Sequence, residues 1–176
     1  QMRQDTTNVA VVFGASPLEK FWVAECRREF LGFTNRLHFM WLNELPLAAM
    51  EKEVGSLPPR SFIIFAMLLV DASGVPYDGH EPLRRLYEVA NAPIFGYFAS
   101  HLGAGAIGGR LFKDAEIGVR GAHTAVRILR GERPESIPAE ILAASVPVYD
   151  WRELRRWNIA ESRVMSGEVR FREPTF

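Results

Sequence analysis

Side chains suited to ligand binding follow three apolar runs of the sequence, at the point where each run ends. Ser16 comes after the run that ends at Phe13, and Asp71 directly follows the run that ends at Val70. If the runs are parallel strands, their carboxyl ends meet at one edge of a sheet, where open α/β folds bind ligands. The candidate ligand-binding residues there are Ser16, Phe21, Asp71, Tyr97, Phe98, Ser100 and His101.

Ser16 and Asp71 each allow two interpretations. Ser16 is placed at a helix N-terminus, where free backbone N–H groups and the helix dipole attract a carboxylate or a phosphate. It could equally serve only as the helix cap. Asp71 could accept a hydrogen bond from a ligand, or could organise its own loop by bonding nearby backbone N–H groups. Both alternatives stay open for both residues.

The residue types that usually mark an enzyme do not form a recognisable set. Cys26 is the one cysteine, which excludes an intrachain disulfide and a thiolate metal cluster. The four histidines are scattered, with no H-E-x-x-H pattern, and the sequence contains no G-x-S-x-G elbow. We therefore predict no catalytic residue, no metal and no cofactor. The 21 basic residues balance the 21 acidic ones, which argues against a nucleic-acid partner.

A glycine-rich segment at residues 103–108 matches G-x-G-x-x-G but is unlike a dinucleotide site. That fingerprint must follow a strand and open directly into a helix. Here the next residues look extended, and a helix is predicted only after Asp114. A tight or flexible turn is the better interpretation. A response-regulator receiver domain is also excluded, because Gly14, Ala15 and Ser16 stand where its acidic pair would be. The same segment argues against a flavin-binding phosphate loop, because it supplies too few hydroxyl groups.

The hydropathy pattern predicts an α/β fold. Apolar runs at residues 9–13, 37–42, 61–70 and 93–98 read as strands, and amphipathic segments between them read as helices. Ser16, Pro17 and Glu19 form a capping box at the start of the first helix. The predicted architecture is a three-layer α/β/α sandwich with a mostly parallel sheet of four to six strands.

Three further expectations concern the helices. In the first helix Leu18, Trp22, Cys26 and Phe30 recur every four residues, with Phe21 beside them, and predict its buried face. A long helix over residues 115–130 is expected to begin at a capping Asp114 and to end at Gly131. Its small residues predict a close approach to the sheet; they are Gly118, Gly121, Ala122 and Ala125.

The chain divides into a lobe at residues 1–145 and a C-terminal segment at residues 146–176. In the segment we expect a strand at 146–149, a short helix capped by Asp150, and a last strand at 169–171. The longest apolar run, residues 62–70, is too short to span a membrane. The abrupt polar start before the first strand leads us to expect that this chain is part of a longer protein.

Six segments resemble the solute-binding proteins of ABC transporters, most closely the version that serves as the extracytoplasmic sensor of bacterial histidine kinases. In the sequence they read VVFGASP at 11–17, NAPIFG at 91–96, LGAGAIGG at 102–109, AVRILRGERPESIP at 125–138, VYDWRELRRWNI at 148–159 and VRFREP at 169–174. The resemblance covers nearly the whole chain, and its motifs are structural rather than catalytic.

The resemblance implies one lobe of a type I periplasmic-binding-protein-like fold, preceded by a missing N-terminal lobe of the same protein. The C-terminal segment would return toward that lobe and lead to the membrane. The implied function is binding of a small-molecule ligand between the lobes, in the periplasm, within a membrane-anchored signalling protein. The alternatives are the solute-binding component of an ABC transporter and a flavodoxin-like or nucleotide-binding enzyme domain. A homodimer is left open, and the resemblance transfers no ligand-contacting residue.

Overall fold

A sheet of four parallel strands forms the centre of the protein. The computed structural model describes residues 6–139, 146–164 and 167–171. The strands are β1 (Asn8–Phe13), β2 (His38–Trp41), β3 (Ser61–Met67) and β4 (Ile94–Gly96). They lie in the order β2-β1-β3-β4, and every neighbouring pair is parallel. The parallel arrangement predicted for β1, β3 and β4 is therefore confirmed, although β3 and β4 end earlier than predicted.

Five α-helices accompany the strands in the described residues. They are α1 (Pro17–Phe30), α2 (Leu47–Gly55), α3 (Glu81–Val89), α4 (Asp114–Leu129) and α5 (Trp151–Arg156). The helix α1 packs on one face of the sheet, while α2 and α3 pack side by side on the other face. The three-layer α/β/α architecture is confirmed.

The side chains of β1 alternate between two separate apolar cores. Val9 and Val11 point to the face that α1 covers, where they pack with Val23. Ala10 and Val12 point to the opposite face, into the core that contains α2 and α3. The side chains of Val9, Ala10, Val11 and Val12 are all buried. A strand covered on both faces reads as a continuous apolar run, which is why β1 lacks the polar alternation of a half-exposed strand.

A second, smaller sheet is built from the chain after β4. Its strands are β5 (Gly108–Gly109), β6 (Val148–Asp150) and β7 (Glu168–Arg170). β6 pairs antiparallel with β5 and parallel with β7. The two strands expected in the C-terminal segment are present as β6 and β7, and they belong to this separate sheet. The predicted division after residue 145 adjoins residues 140–145, which lie outside the described residues, as do residues 1–5 and 172–176.

The predicted buried face of α1 is wrong over its first half. Leu18, Phe21 and Trp22 are 53%, 55% and 44% exposed, and Cys26 and Phe30 are half-buried. Four-residue spacing identifies side chains that share a helix face, but it does not say what covers that face. Here Val23, Cys26 and Phe30 pack in the core against the sheet, whereas Leu18, Phe21 and Trp22 are left exposed.

The expectations for α4 are confirmed at one end only. Gly131 follows the helix with φ of 96°, as a C-terminal glycine should. Asp114 does not cap the N-terminus: Lys113 occupies the cap position without a side-chain bond, and an Asp114 oxygen accepts the Ser100 backbone N–H at 3.2 Å. The predicted close approach of α4 to the sheet is wrong, because a Cβ at Gly118 or Gly121 would meet no atom within 4 Å. Small residues permit close packing without enforcing it.

Candidate functional site

The carboxyl ends of β1, β3 and β4 meet at one edge of the sheet, as the parallel topology requires. Backbone hydrogen bonds fasten the loop after β1 to the end of β3: the Gly14 N–H donates to the Met67 carbonyl at 3.0 Å, and the Ala15 N–H donates to the Val70 carbonyl at 2.7 Å. Tyr97 begins the loop after β4, the neighbour of β3. The segments that carry the predicted site residues therefore emerge at a common edge.

Ser16 is held in a complete capping box. Its hydroxyl accepts the Glu19 backbone N–H at 3.3 Å, and its own N–H donates to Oε2 of Glu19 at 3.0 Å. The other oxygen of Glu19 accepts the Leu69 backbone N–H at 2.7 Å. The Glu19 side chain is fully buried and so joins α1 to the chain after β3. The structure shows Ser16 as a cap, and its predicted ligand contact stays a prediction.

Asp71 is buried, and it receives hydrogen bonds from its own chain on both carboxylate oxygens. Oδ1 accepts the Ser73 N–H, the Ser73 hydroxyl and the Val75 N–H at 2.6–3.1 Å. Oδ2 accepts the Leu47 N–H, the first of helix α2, and the Tyr77 hydroxyl, both at 3.0 Å. Burial alone would raise the pKa of Asp71, but these bonds outweigh it and hold the pKa well below its usual range. The geometry is that of a loop organiser.

His101 lies buried beneath the loop after β4. Its Nδ1 accepts the Tyr97 backbone N–H at 3.2 Å, and its ring meets those of Phe65 and Phe98 edge to face at 5.2 and 5.5 Å. Burial, followed by the nearby His80, lowers the pKa of His101 to about 4. A neutral imidazole in this position shapes the loop that presents Tyr97 and Phe98.

An apolar groove of about 660 Å³ opens between α1, the ends of β1 and β3, and the loop after β4. Six of the twelve residues that line it are aromatic: Phe13, Trp22, Phe30, Tyr97, Phe98 and Phe112. Two acidic side chains of α1, Glu25 and Glu29, lie at its border one helical turn apart. Burial, helped by these carboxylates, raises the pKa of the Cys26 thiol in the same wall, which keeps it protonated and a weak nucleophile.

Similar folds occur in three solved structures of bacterial proteins. They are a conserved domain protein from Vibrio cholerae (TM-score 0.70, 20% identity), an ABC domain in complex with L-Trp from Streptococcus pneumonia (0.72, 13%), and a substrate binding protein with adhesive properties from Clostridium difficile in its ligand-free, open form (0.66, 12%). The fold is that of a periplasmic-binding-protein-like lobe. No protein-family model matches the sequence, and no curated protein matches it.

The similarity extends over 96% of this chain but over only 55–56% of each of the three structures. The chain thus spans little more than half the length of the proteins it resembles. At these levels of identity the comparison establishes the fold and transfers no residue role.

The groove contains two of the predicted site residues and leaves out five. Tyr97 and Phe98 line it, whereas Phe21 lies outside and packs edge to face on Trp22 at 5.3 Å. Ser16, Asp71, Ser100 and His101 are not part of its lining. Sequence reasoning missed Trp22 and Phe112 as wall residues. The aromatic spacing of α1 was the available signal for Trp22, and it was interpreted as core.

Three other observations concern the described ranges, 6–139, 146–164 and 167–171. Within them no group of three or more His, Cys, Asp or Glu side chains is placed to hold a metal ion. None of their helices has the length and apolar character needed to cross a membrane. A cavity of about 690 Å³ lies between the C-terminal end of α1 and the amino-terminal ends of β1 and β2, and it is similar to the groove in size. Ligands of open α/β sheets, however, bind at the opposite edge.

Proposed function

We propose that this chain is a small-molecule-binding lobe and that its ligand contacts the aromatic groove at the carboxyl edge of the sheet. The observation that carries the proposal is the groove itself, with Tyr97 and Phe98 in its wall, on a periplasmic-binding-protein-like fold. One of the structurally similar proteins is in complex with L-Trp, and another is a substrate binding protein. Both support a binding role over a catalytic one.

The chemistry of the groove favours a ligand with an apolar or aromatic body. Its volume of about 660 Å³ falls within the range of roughly 300–1,000 Å³ that is usual for small-molecule sites. Aromatic side chains bury large apolar areas and prefer edge-to-face or offset contacts with another ring. Such a ligand would cover side chains of Trp22 and Tyr97 that are now substantially exposed.

We further propose that a second lobe, preceding this one in the full-length protein, closes over the groove. The match covers only 55–56% of each of the three similar structures, which supports a partner lobe. Closure of two lobes around a ligand shifts the population from an open to a closed form. In the sensor hypothesis that shift passes to a histidine kinase through the membrane, so that the chain works outside the cytoplasm and is not itself an enzyme.

A solute-binding component of an ABC transporter is the second candidate, supported by the substrate binding protein among the similar structures. Both candidates need the same groove, and they differ in the modules encoded downstream of the two lobes. A membrane-spanning helix and a kinase module in that position support the sensor. A gene that ends after the second lobe, beside transporter genes, contradicts the sensor and supports transport.

The binding proposal is tested by a thermal-shift screen of the two-lobed protein against small aromatic and aliphatic metabolites. A ligand that binds only the folded state raises the melting midpoint. Tyr97→Ala should abolish the shift, because it removes a wall of the groove. Phe33→Ala is the matched control, since Phe33 is a comparably exposed aromatic residue outside the groove. Equal ligand-induced shifts in the two variants would contradict the assignment of the groove.

A further inference from the structure

The helix α4 is exposed along its whole length in the described part of the chain. None of its 16 residues is buried there, whereas α1, α2 and α3 each bury two or more residues. Its large apolar side chains are between 39% and 85% exposed: Ile117, Val119, Val126, Ile128 and Leu129. A surface helix ordinarily buries its apolar stripe against a core. The apolar surface of α4 is therefore unpaired within the described residues.

The residues of α4 divide the helix into a wide apolar face and a narrow polar one. With about 3.6 residues per turn, small residues fall along the middle of the apolar face. They are Gly118, Gly121, Ala122 and Ala125. Larger apolar side chains flank them on both sides, and the polar face carries Glu116, Arg120, His123 and Arg127. A face with glycine and alanine along its middle lets another element approach the helix backbone closely.

A helix of this composition is not expected to be stable on its own. Isolated helices of about 15 residues are marginal in water. Glycine is the least favourable residue after proline in a helix interior, and α4 contains Gly118 and Gly121. The ion pair between Glu116 and Arg120, at 3.0 Å, is exposed and contributes little. The helix therefore needs a surface from outside the described residues.

The groove and the length of the similar structures indicate which surface that is. The match covers 96% of this chain and 55–56% of each similar structure, so nearly half of each structure has no counterpart here. The apolar surface of α4 continues into the aromatic groove, because Ile117 lines the groove together with Phe112 from the preceding loop. A lobe that closes over the groove would thus lie beside α4.

We propose that α4 docks on the lobe that precedes this one in the full-length protein, with the face around Gly118 and Ala125 packed against an apolar surface of that lobe. The inference rests on the second lobe of the proposed function, and it does not depend on the ligand. The groove opens and closes as the lobes move, while α4 stays attached to the preceding lobe in both forms. The chain before α4, at Lys113, and after it, at Gly131, then connects the two lobes.

Hydrogen exchange tests the proposal by comparing this chain with the two-lobed protein, both without ligand. In this chain the amides of residues 118–129 should exchange within about tenfold of the rate for an unfolded chain, because the helix is marginal there. In the two-lobed protein they should exchange at least about a hundredfold more slowly. The amides of the second half of α1, which packs on the sheet, are the internal control and should be protected in both proteins.

Two variants of α4 test which face docks. Ala125→Glu places a charge in the middle of the apolar face, and His123→Glu, the matched control, places the same charge on the polar face. In this chain both should change the melting midpoint by less than about 2 °C, as surface substitutions do. In the two-lobed protein only Ala125→Glu should lower it, by at least about 5 °C, because a buried charge without a partner is costly.

Each other outcome would overturn the proposal. Equal protection of α4 in the two proteins, or equal destabilisation of both by Ala125→Glu, would show that this chain covers the face itself. Protection in this chain that rises with its concentration and is lost in Ala125→Glu would assign the face to a second copy. The ligand-induced shifts of wild type and Tyr97→Ala report on the groove separately, so the ligand proposal and the docking proposal can fail independently.

Discussion

Replacing Glu19 with alanine should destabilise the protein far more than an ordinary surface substitution. Its buried carboxylate accepts the backbone N–H groups of Ser16 and Leu69 at 3.0 and 2.7 Å. Alanine would leave both donors without this partner. A hydrogen bond to a charged group contributes about 1.5–3 kcal/mol, so losing two should cost about 3–6 kcal/mol of unfolding free energy. That is a large share of the roughly 5–15 kcal/mol that stabilises a typical domain.

The assay is equilibrium unfolding in urea, followed by circular dichroism. Glu29→Ala is the matched control, because Glu29 is an exposed carboxylate on the same helix. It should change the free energy of unfolding by no more than about 0.5 kcal/mol. A loss below about 1 kcal/mol in Glu19→Ala, or equal losses in the two variants, would refute the argument, since each missing bond alone should exceed that value.

Three further predictions concern other structural positions. Asp71→Asn should lower the unfolding free energy by about 2–3 kcal/mol at neutral pH. The pKa of Asp71 is lower in the folded protein than in the unfolded chain, so the difference in unfolding free energy between wild type and variant should shrink as the pH falls below about 4. Urea titrations at several pH values measure that difference. His101 has a pKa of about 4 in the folded protein, so it binds its proton more readily in the unfolded chain. The unfolding free energy of the wild type should therefore fall by up to about 1.4 kcal/mol per unit as the pH is lowered from about 6.5 to 4. His101→Gln should remove that pH dependence, and equal slopes in the two proteins would contradict the argument. Gly105→Ala should lower the melting temperature more than Gly109→Ala. Both glycines have positive φ, but only at Gly105 would a Cβ meet other atoms, namely those of the Tyr87 side chain. Equal decreases in melting temperature would exclude crowding against Tyr87 as the cause.

The strands and the first helix N-terminus were predictable because their signals are local. A strand buried on both faces must be apolar throughout, and the run at residues 9–13 has no other simple interpretation. The capping box needs residues of fixed type three positions apart, and Ser16 and Glu19 form it as predicted. Parallel pairing then follows from the alternation of strands and helices, which brings the carboxyl ends of β1, β3 and β4 to one edge.

The tertiary partners of polar residues were not predictable in the same way. Nothing local to Glu19 shows that its carboxylate also reaches the Leu69 N–H, 50 residues along the chain. For Asp71 the sequence left a loop-forming role and a ligand contact both open, and its bond to the first N–H of α2, 24 residues earlier, depends on how the loops pack. Glu153, whose Oε1 accepts the Tyr87 hydroxyl at 2.9 Å, was not singled out at all, since a lone acid in a short helix carries no pattern. Each of these roles depends on contacts distant in sequence.

The unequal covering of the sheet explains why the wall that α1 contributes to the aromatic groove escaped sequence analysis. The two sheet faces present similar apolar strands, yet α2 and α3 cover one face while α1 covers the other. Helical spacing in α1 marks Trp22 and Phe30 as members of one apolar face, and that spacing is the same whether the face meets a sheet, a ligand or another lobe. Trp22, the exposed member of that face, lines the groove. A wall built from ordinary core-type residues carries no motif, and its recognition depends on the fold that leaves it uncovered.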